Sequence, residues 1–345
     1  MTDTATTTEL DAARLLLARM GVDPVDLLDT DDNTTTAARA PVPTFTEWIP
    51  VVTDLVTAMT ARSYGSYWKK AEAAWGPRAM NEVTASEIKR MSETVRETAV
   101  VRSNSRGGRN AAENFVAAVR CLYRHLENED LISVRANPAR RVTKPRRNAS
   151  TRRALPDNRL AELNDIVATT GDDPELDALI CRIHEETACR RGGALALRPR
   201  DLDRTQCMIR LREKGGTERW QPVSPTLMRH LVAHHDERGT GDPGEQLLRY
   251  ASGKPITSRR YDHLFNRVRR HLPWAASLLV SAHWLRHTTL TWVERNFGYA
   301  VARAYAGHTE GNDAATTTYI KADTAEVATA LAALTGEPHP LAKKQ

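Results

Sequence analysis

Along most of the chain the apolar residues recur every three or four positions, and one short stretch switches to a period of two. Residues 8–28 carry Leu10, Leu15, Leu16 and Leu17 and predict a short amphipathic helix. From Thr44 the helical period becomes dense, with Phe45, Trp48, Ile49, Val52, Leu55 and Val56 on one face of a helix over 44–59. Residues 63–76 add Tyr64, Tyr67, Trp68 and Trp75 beside Lys69 and Lys70. Thr84 followed by Glu87 is a capping-box signature that opens a third helix. Phe115, Val119, Leu122 and Leu126 line a fourth. Residues 44–134 therefore predict a small bundle of about four helices.

After Leu155 the pattern is mixed. Asp157 is the expected cap of a helix over 155–170, Leu176, Leu179, Ile180 and Ile183 mark another, and the pair Gly192–Gly193 interrupts a region rich in small residues. Alternation through Met208–Arg212 and Arg219–Val223, around the turn residues Gly215 and Gly216, predicts a β-hairpin. Helical patterns fill the rest and end in a helix carrying Val327, Leu331 and Leu334. Its apolar face is expected to pack on a neighbouring copy of the chain. The expected fold is mainly α with a small β-sheet or hairpin, in a helical N-terminal domain and an α+β C-terminal domain. The boundaries are an acidic, partly flexible extension over 1–43, a helical domain over 44–134, a linker over 135–154 and a second domain over 155–345.

Charge sharpens this picture. The net charge of the 345 residues is +6, but residues 1–40 carry −5 and the remainder +11. A basic body points to a polyanion, with nucleic acid first and an anionic membrane surface second. No apolar run approaches the ~20 residues needed to span a bilayer. The start MTDTATTTEL has neither the basic residues nor the apolar core of a secretory signal, so a cytoplasmic location is expected. Cys121, Cys181, Cys189 and Cys207 form no CxxC pair and suit reduced, buried thiols. The run from His184 to Ala188 begins like a zinc-protease helix, but Ala188 stands where the second His is required. Metal chemistry is excluded there. Residues 135–154 hold eight basic side chains, two prolines and no acid. They suit a linker lying along a phosphate backbone, through Arg140, Arg141, Lys144, Arg146 and Arg147. Arg106 and Arg109 precede the fourth helix, where the helix dipole also favours phosphate.

The densest chemistry lies between Ser281 and Asp323, which gathers His283, Arg286, His287, His308 and Tyr319. A tyrosine hydroxyl can attack a phosphodiester while arginine neutralises charge developing on phosphorus and histidines relay protons. On this span alone, surface His and Arg around a buried Tyr is the favoured reading.

Five boxes taken together resemble the phage-integrase type of tyrosine recombinase. The segment TACRRGGALALRPRDLD is similar to that family's first-arginine box and puts Arg190 on the catalytic arginine. EKGGTERWQPV resembles its hairpin and puts Lys214 on the catalytic lysine. HWLRHT gives His283 and Arg286, AGH gives His308, and TTTYIKAD puts Tyr319 at the nucleophile. The boxes run in the family's order across about half the chain. Residues 44–134 resemble, more weakly, the family's SAM-like core-binding domain. Two departures stand out. Gly193 occupies a position that is usually acidic, so a support for the site is absent or comes from elsewhere. Eleven positions separate His308 from Tyr319, about two more than the usual spacing.

The resemblance implies a site-specific recombinase or integrase that cuts and rejoins duplex DNA through a 3′-phosphotyrosyl intermediate, with no cofactor and no metal. Arg190 and Arg286 would clamp the phosphate and His308 would add a hydrogen bond. His283 would move a proton at the nucleophile, and Lys214 would protonate the leaving 5′ oxygen. It further implies double-stranded DNA at specific sites as partner, a homotetramer on paired sites, nucleoid association and no membrane role. The DNA sequence, the direction of recombination and any accessory directionality factor stay open. The rivals are a non-catalytic DNA-binding regulator of the same fold, favoured by Gly193, and a type IB-like topoisomerase.

Overall fold

The computed structural model describes residues 7–19, 41–99, 108–145, 153–213, 216–307 and 322–343. The chain divides into two compact units, Met1–Asn148 and Ala149–Gln345. Among the described residues no helix is long and apolar enough to cross a membrane.

The first unit begins with helix α1 (Thr7–Arg19), on which Leu15 and Leu16 stand exposed. Four helices follow: α2 (Phe45–Leu55), α3 (Ala58–Trp75), α4 (Ala85–Glu97) and α5 (Arg109–Asn128). Thr44 with Glu47 and Thr84 with Glu87 close capping boxes at the starts of α2 and α4. The single helix expected over 44–59 is split. The Thr57 hydroxyl accepts the N–H of Thr60 and starts α3, so Val56 falls in the break.

The core of this unit is aromatic, and its polar edges are satisfied. The indole of Trp48 donates to the carbonyl of Leu122 (3.1 Å) and that of Trp68 to Ala118 (2.9 Å). The hydroxyl of Tyr123 donates to Met80 (2.7 Å). Each ring thus buries apolar area without stranding a donor.

Part of the basic segment expected as a linker is built into this unit. Pro138–Arg141 forms a 3₁₀ turn with Pro138 and Ala139 buried. The guanidinium of Arg120, on α5, donates to the carbonyls of Ala139 (3.0 Å) and Val142 (2.7 Å). The apolar pair inside the basic run, which charge counting overlooks, is what docks it.

The second unit contains α6 (Asp157–Thr169), α7 (Pro174–Thr187) and the short α8 (Arg191–Leu195). The strands β1 (Leu202–Asp203), β2 (Met208–Arg212) and β3 (Glu218–Pro222) form an antiparallel sheet in that order, with Ile209 opposite Gln221 and Leu211 opposite Arg219. Helices α9 (Pro225–Arg238), α10 (Ser258–His271), α11 (Pro273–Leu278), α12 (Ala282–Tyr305) and α13 (Thr324–Thr335) complete it. Leu176, Ile180, Ile209, Leu231, Leu264 and Leu285 lie in its main core.

Three expectations are corrected here. Pro156, not Asp157, stands at the N-cap of α6, and Asp157 is the first helical residue, where its charge meets the helix dipole. Helix α7 ends at Ala188 in the left-handed region (φ 49°), and Gly192–Gly193 lie inside α8. The apolar face of α13 is covered by its own chain: Val327, Ala330 and Leu331 pack with Val293, Val301 and Tyr305 of α12.

Much of the unit's arginine is structural. Asp177, fully buried, takes Arg260 (2.7 Å) and Arg267 (2.5 Å). Asp201, also fully buried, takes Arg210 (3.1 Å) and Arg212 (2.5 Å). In each case two guanidiniums meet one carboxylate, so these four arginines are poor candidates for holding DNA.

Glu185 is less well placed. One oxygen accepts from Asn164 (3.2 Å), while the other is buried with no hydrogen-bond partner. The residue lines a cavity of about 610 Å³ together with Arg182, Leu285 and Trp292. Burial pushes the carboxyl up to about 7 from an ordinary 4.5, and the Glu186 charge adds to this. The folded state therefore binds the proton more tightly than the unfolded chain, and stability falls as pH rises from about 4.5 to about 7. The full penalty, on the order of 3 kcal/mol, is present above that window. Glu185→Gln should therefore raise the melting temperature above pH ~7 and leave it nearly unchanged near pH ~4.5. Calorimetry at the two ends of the window checks this, and an equal gain at both would refute it.

Candidate active site

The second unit brings Arg190 and Arg286 to one carboxylate. Arg190 lies in extended backbone (φ −82°, ψ 154°) between α7 and α8, because the left-handed turn at Ala188 ends α7 just before it. Its amide donates to Glu213 Oε1 (3.1 Å) and its guanidinium to Glu213 Oε2. Arg286, nearly buried on α12, lies 3.8 Å from Oε1 of the same residue. Its guanidinium also donates to the carbonyls of Ala188 and, at 2.9 Å, Ala306.

That last bond needs explaining, because a straight helix would put Ala306 about 30 Å from Arg286 at 1.5 Å per residue. Gly298 breaks α12 with a left-handed φ of 82°, and the chain turns back. Only a glycine adopts that conformation without strain. The break lets the C-terminal end of α12 return to the arginine near its start. Gly307 follows at once and lies against Arg219, where a Cβ would come within 2.3 Å of Nε.

Arg219 is the third cation. It projects from β3 with its side chain 11% exposed, and its Nη2 lies 3.9 Å from Glu213 Oε1. Nη2 also donates to the Thr187 carbonyl (3.3 Å), while Nε has no partner among the described residues. Burial lowers the pKa of Arg219. Arg286 is pushed down to about 10, by burial first and then by the neighbouring Arg190 charge. It remains protonated at neutral pH. Three guanidiniums thus face one carboxylate, against two at Asp177 and two at Asp201. The Arg190 side chain is 40% exposed, so this cation cluster is open to solvent at Arg190. The arrangement suits an anionic ligand with two or more acceptor oxygens.

His283 lies in the first turn of α12, exposed and edge-on to His287 at 5.1 Å between ring centroids. It shares a cleft of about 290 Å³ with Arg190, Cys189, Tyr261 and Ser281. Arg191 lines the same cleft, 3.6 Å from Asp262.

No family model matches the chain. The tyrosine recombinase XerC of Pelobacter propionicus is 28% identical over 176 residues, 51% of this chain and 57% of that protein. The chain therefore spans little more than half the length of this relative. A lambda integrase tetramer bound to a Holliday junction superposes with a TM-score of 0.59 at 13% identity, covering 94% of this chain and 89% of the integrase. The Tn1549 transposon integrase in complex with a circular intermediate DNA gives 0.61 at 15% identity, covering 81% and 95%. The chain resembles the tyrosine recombinases in sequence and in fold.

Of the six residues aligned with tyrosine recombinase catalytic positions, Arg190, His283 and Arg286 are described. Lys214, His308 and Tyr319 lie outside the described residues, as do Arg106, Arg146 and Arg147 among the DNA-contact candidates. Arg109 is exposed at the first position of α5. Arg140 is paired with Glu127 (2.7 Å), Arg141 donates to the Arg135 carbonyl (2.9 Å), and Lys144 is exposed. Sequence reading did not single out Glu213 or Arg219. Strand alternation carried the signal: Ile209, Leu211 and Glu213 alternate on the buried side, so the carboxylate ending that row had to meet a cation.

Proposed function

We propose that this chain is a tyrosine-type DNA recombinase that cuts and rejoins duplex DNA through a 3′-phosphotyrosyl intermediate. One observation carries the reading: Glu213 is outnumbered three to one by Arg190, Arg286 and Arg219, beside a cleft that holds His283. A phosphodiester has one negative charge and its pentacovalent transition state has two, which clustered guanidiniums would stabilise. Arginine suits the task because its planar fork binds two oxygens and keeps its proton.

In this mechanism the Tyr319 hydroxyl loses its proton to His283. Its oxygen attacks phosphorus, and the P–O bond to the 5′ carbon of the next nucleotide breaks. Lys214 gives the departing oxygen its proton. Arg190 and Arg286 hold the non-bridging oxygens, assisted by His308. Rejoining is the reverse, with a 5′ hydroxyl from the same or another duplex as the attacking group. The lambda integrase tetramer on a Holliday junction supports a homotetramer on paired sites, and both units of this chain would contact the DNA.

The test is covalent capture from a pool of duplexes with randomised sequence. After denaturation in detergent, a fraction of the pool should remain attached, and peptide mass spectrometry should place the nucleotide on Tyr319. A chain that binds duplex DNA tightly but retains none after denaturation would be a regulator. Relaxation of supercoiled plasmid without joining of two duplexes would make it a topoisomerase.

A further inference from the structure

We infer that Glu213 is a positioning residue for the phosphate-binding arginines and occupies the space that Gly193 leaves open. This inference rests on reading Arg190 and Arg286 as the phosphate clamp.

Three observations carry it. The carboxylate is central: both its oxygens engage Arg190, and Oε1 also lies within 4 Å of Arg286 and Arg219. Its side chain is only 1% exposed, so it is no surface ion pair that water would replace at little cost. The third observation concerns Gly193. A Cβ built there would lie 3.5 Å from Glu213 Cγ and 3.7 Å from Oε1, at ordinary contact distance. Helix α8, whose packing partner is β2, thus presents a residue without a side chain to the very spot the carboxylate fills. An acid emerging from α8 at position 193 would start from the same place.

Without Glu213 the guanidiniums of Arg190, Arg286 and Arg219 would repel one another in a poorly solvated space and separate. The neighbouring Arg190 charge already helps to depress the pKa of Arg286. Glu213 directly follows β2, and its backbone N–H donates to the Thr217 carbonyl (2.8 Å), which fixes where its side chain starts.

The experiment compares Glu213→Gln, Glu213→Ala and the double variant Gly193→Asp/Glu213→Ala with the parent, using a duplex captured covalently by the parent chain. Glu213→Gln keeps the shape and removes the charge. Adduct formation at saturating DNA should fall about 100-fold, while DNA affinity changes by no more than about 3-fold. The double variant should recover at least about 10-fold over Glu213→Ala, because the carboxylate is restored from α8. A merely structural role for Glu213 would not be mended by an acid on another element. Parental rates in Glu213→Gln, or no gain in the double variant, would overturn the inference. A parent that forms no adduct with any duplex defeats the functional reading instead. In that event a crystal structure of Glu213→Gln decides the inference alone: displaced Arg190 and Arg286 side chains support it, and unmoved ones overturn it.

Discussion

Replacing Tyr319 with Phe is expected to abolish the denaturation-resistant adduct while leaving duplex affinity within about 3-fold of the parent. In the proposed mechanism the phenolic oxygen is the atom that joins the DNA. Tyr64, Tyr67 and Tyr250 are half-buried, and the remaining described tyrosines make this a sharp test. Tyr305 is fully buried and donates its proton to the Glu186 carbonyl, and burial pushes its pKa well up. Tyr123 and Tyr261 are likewise buried and shifted upward. A phenol that must ionise in such places makes a poor nucleophile at neutral pH. Tyr299 is the rival, 61% exposed just after the Gly298 break, with the Arg303 guanidinium 5.9 Å from its ring. Tyr299→Phe should keep the adduct. A labelled duplex run on denaturing gels reads the adduct, and native gel shifts read affinity. An adduct that survives Tyr319→Phe and disappears with Tyr299→Phe would move the nucleophile.

What could be read from the chain follows from the range of the physics involved. The helices of both units and the hairpin were legible because local periodicity and capping chemistry act within a few residues. Thr84 with Glu87 and the alternation through Ile209 and Leu211 are examples. Box order pointed to Arg190, His283 and Arg286, and the structure brings Arg190 and Arg286 onto one carboxylate. It could not supply that carboxylate, because Glu213, just past β2, lies 23 positions from Arg190 and acts through space. The same holds for Ala306, which reaches Arg286 only because Gly298 folds the chain back. The basic body was over-read for a related reason. Net charge counts Arg210, Arg212, Arg260 and Arg267 as free to meet DNA, whereas two buried aspartates hold all four. The charge that matters for an anionic ligand is local, and it concentrates where the acids run short.

Arg286 should be the most costly arginine of the site to replace, in stability as well as in rate. Its guanidinium is 4% exposed and bonds the carbonyls of Ala188 and Ala306 while facing Glu213. Lysine keeps the charge but is a compact ammonium that cannot span two carbonyls and still present a fork to a phosphate. Arg286→Lys would leave at least one buried carbonyl without its donor and crowd the charge near Arg190. A loss of about 3 kcal/mol is expected for breaking a buried charged group out of its contacts. For a unit of this size that corresponds to a melting temperature lower by roughly 6–12 °C. Adduct formation should fall by about 100- to 1000-fold. Arg190→Lys is the control that separates the two effects. The Arg190 side chain is 40% exposed, so water replaces part of what is lost. It should lose a similar factor in rate with a melting temperature within about 2 °C of the parent. Calorimetry and single-turnover adduct formation on both variants check the pair. Equal losses of stability would mean that Arg286 does not hold the returning end of α12. An undiminished rate in either would remove that arginine from the phosphate clamp.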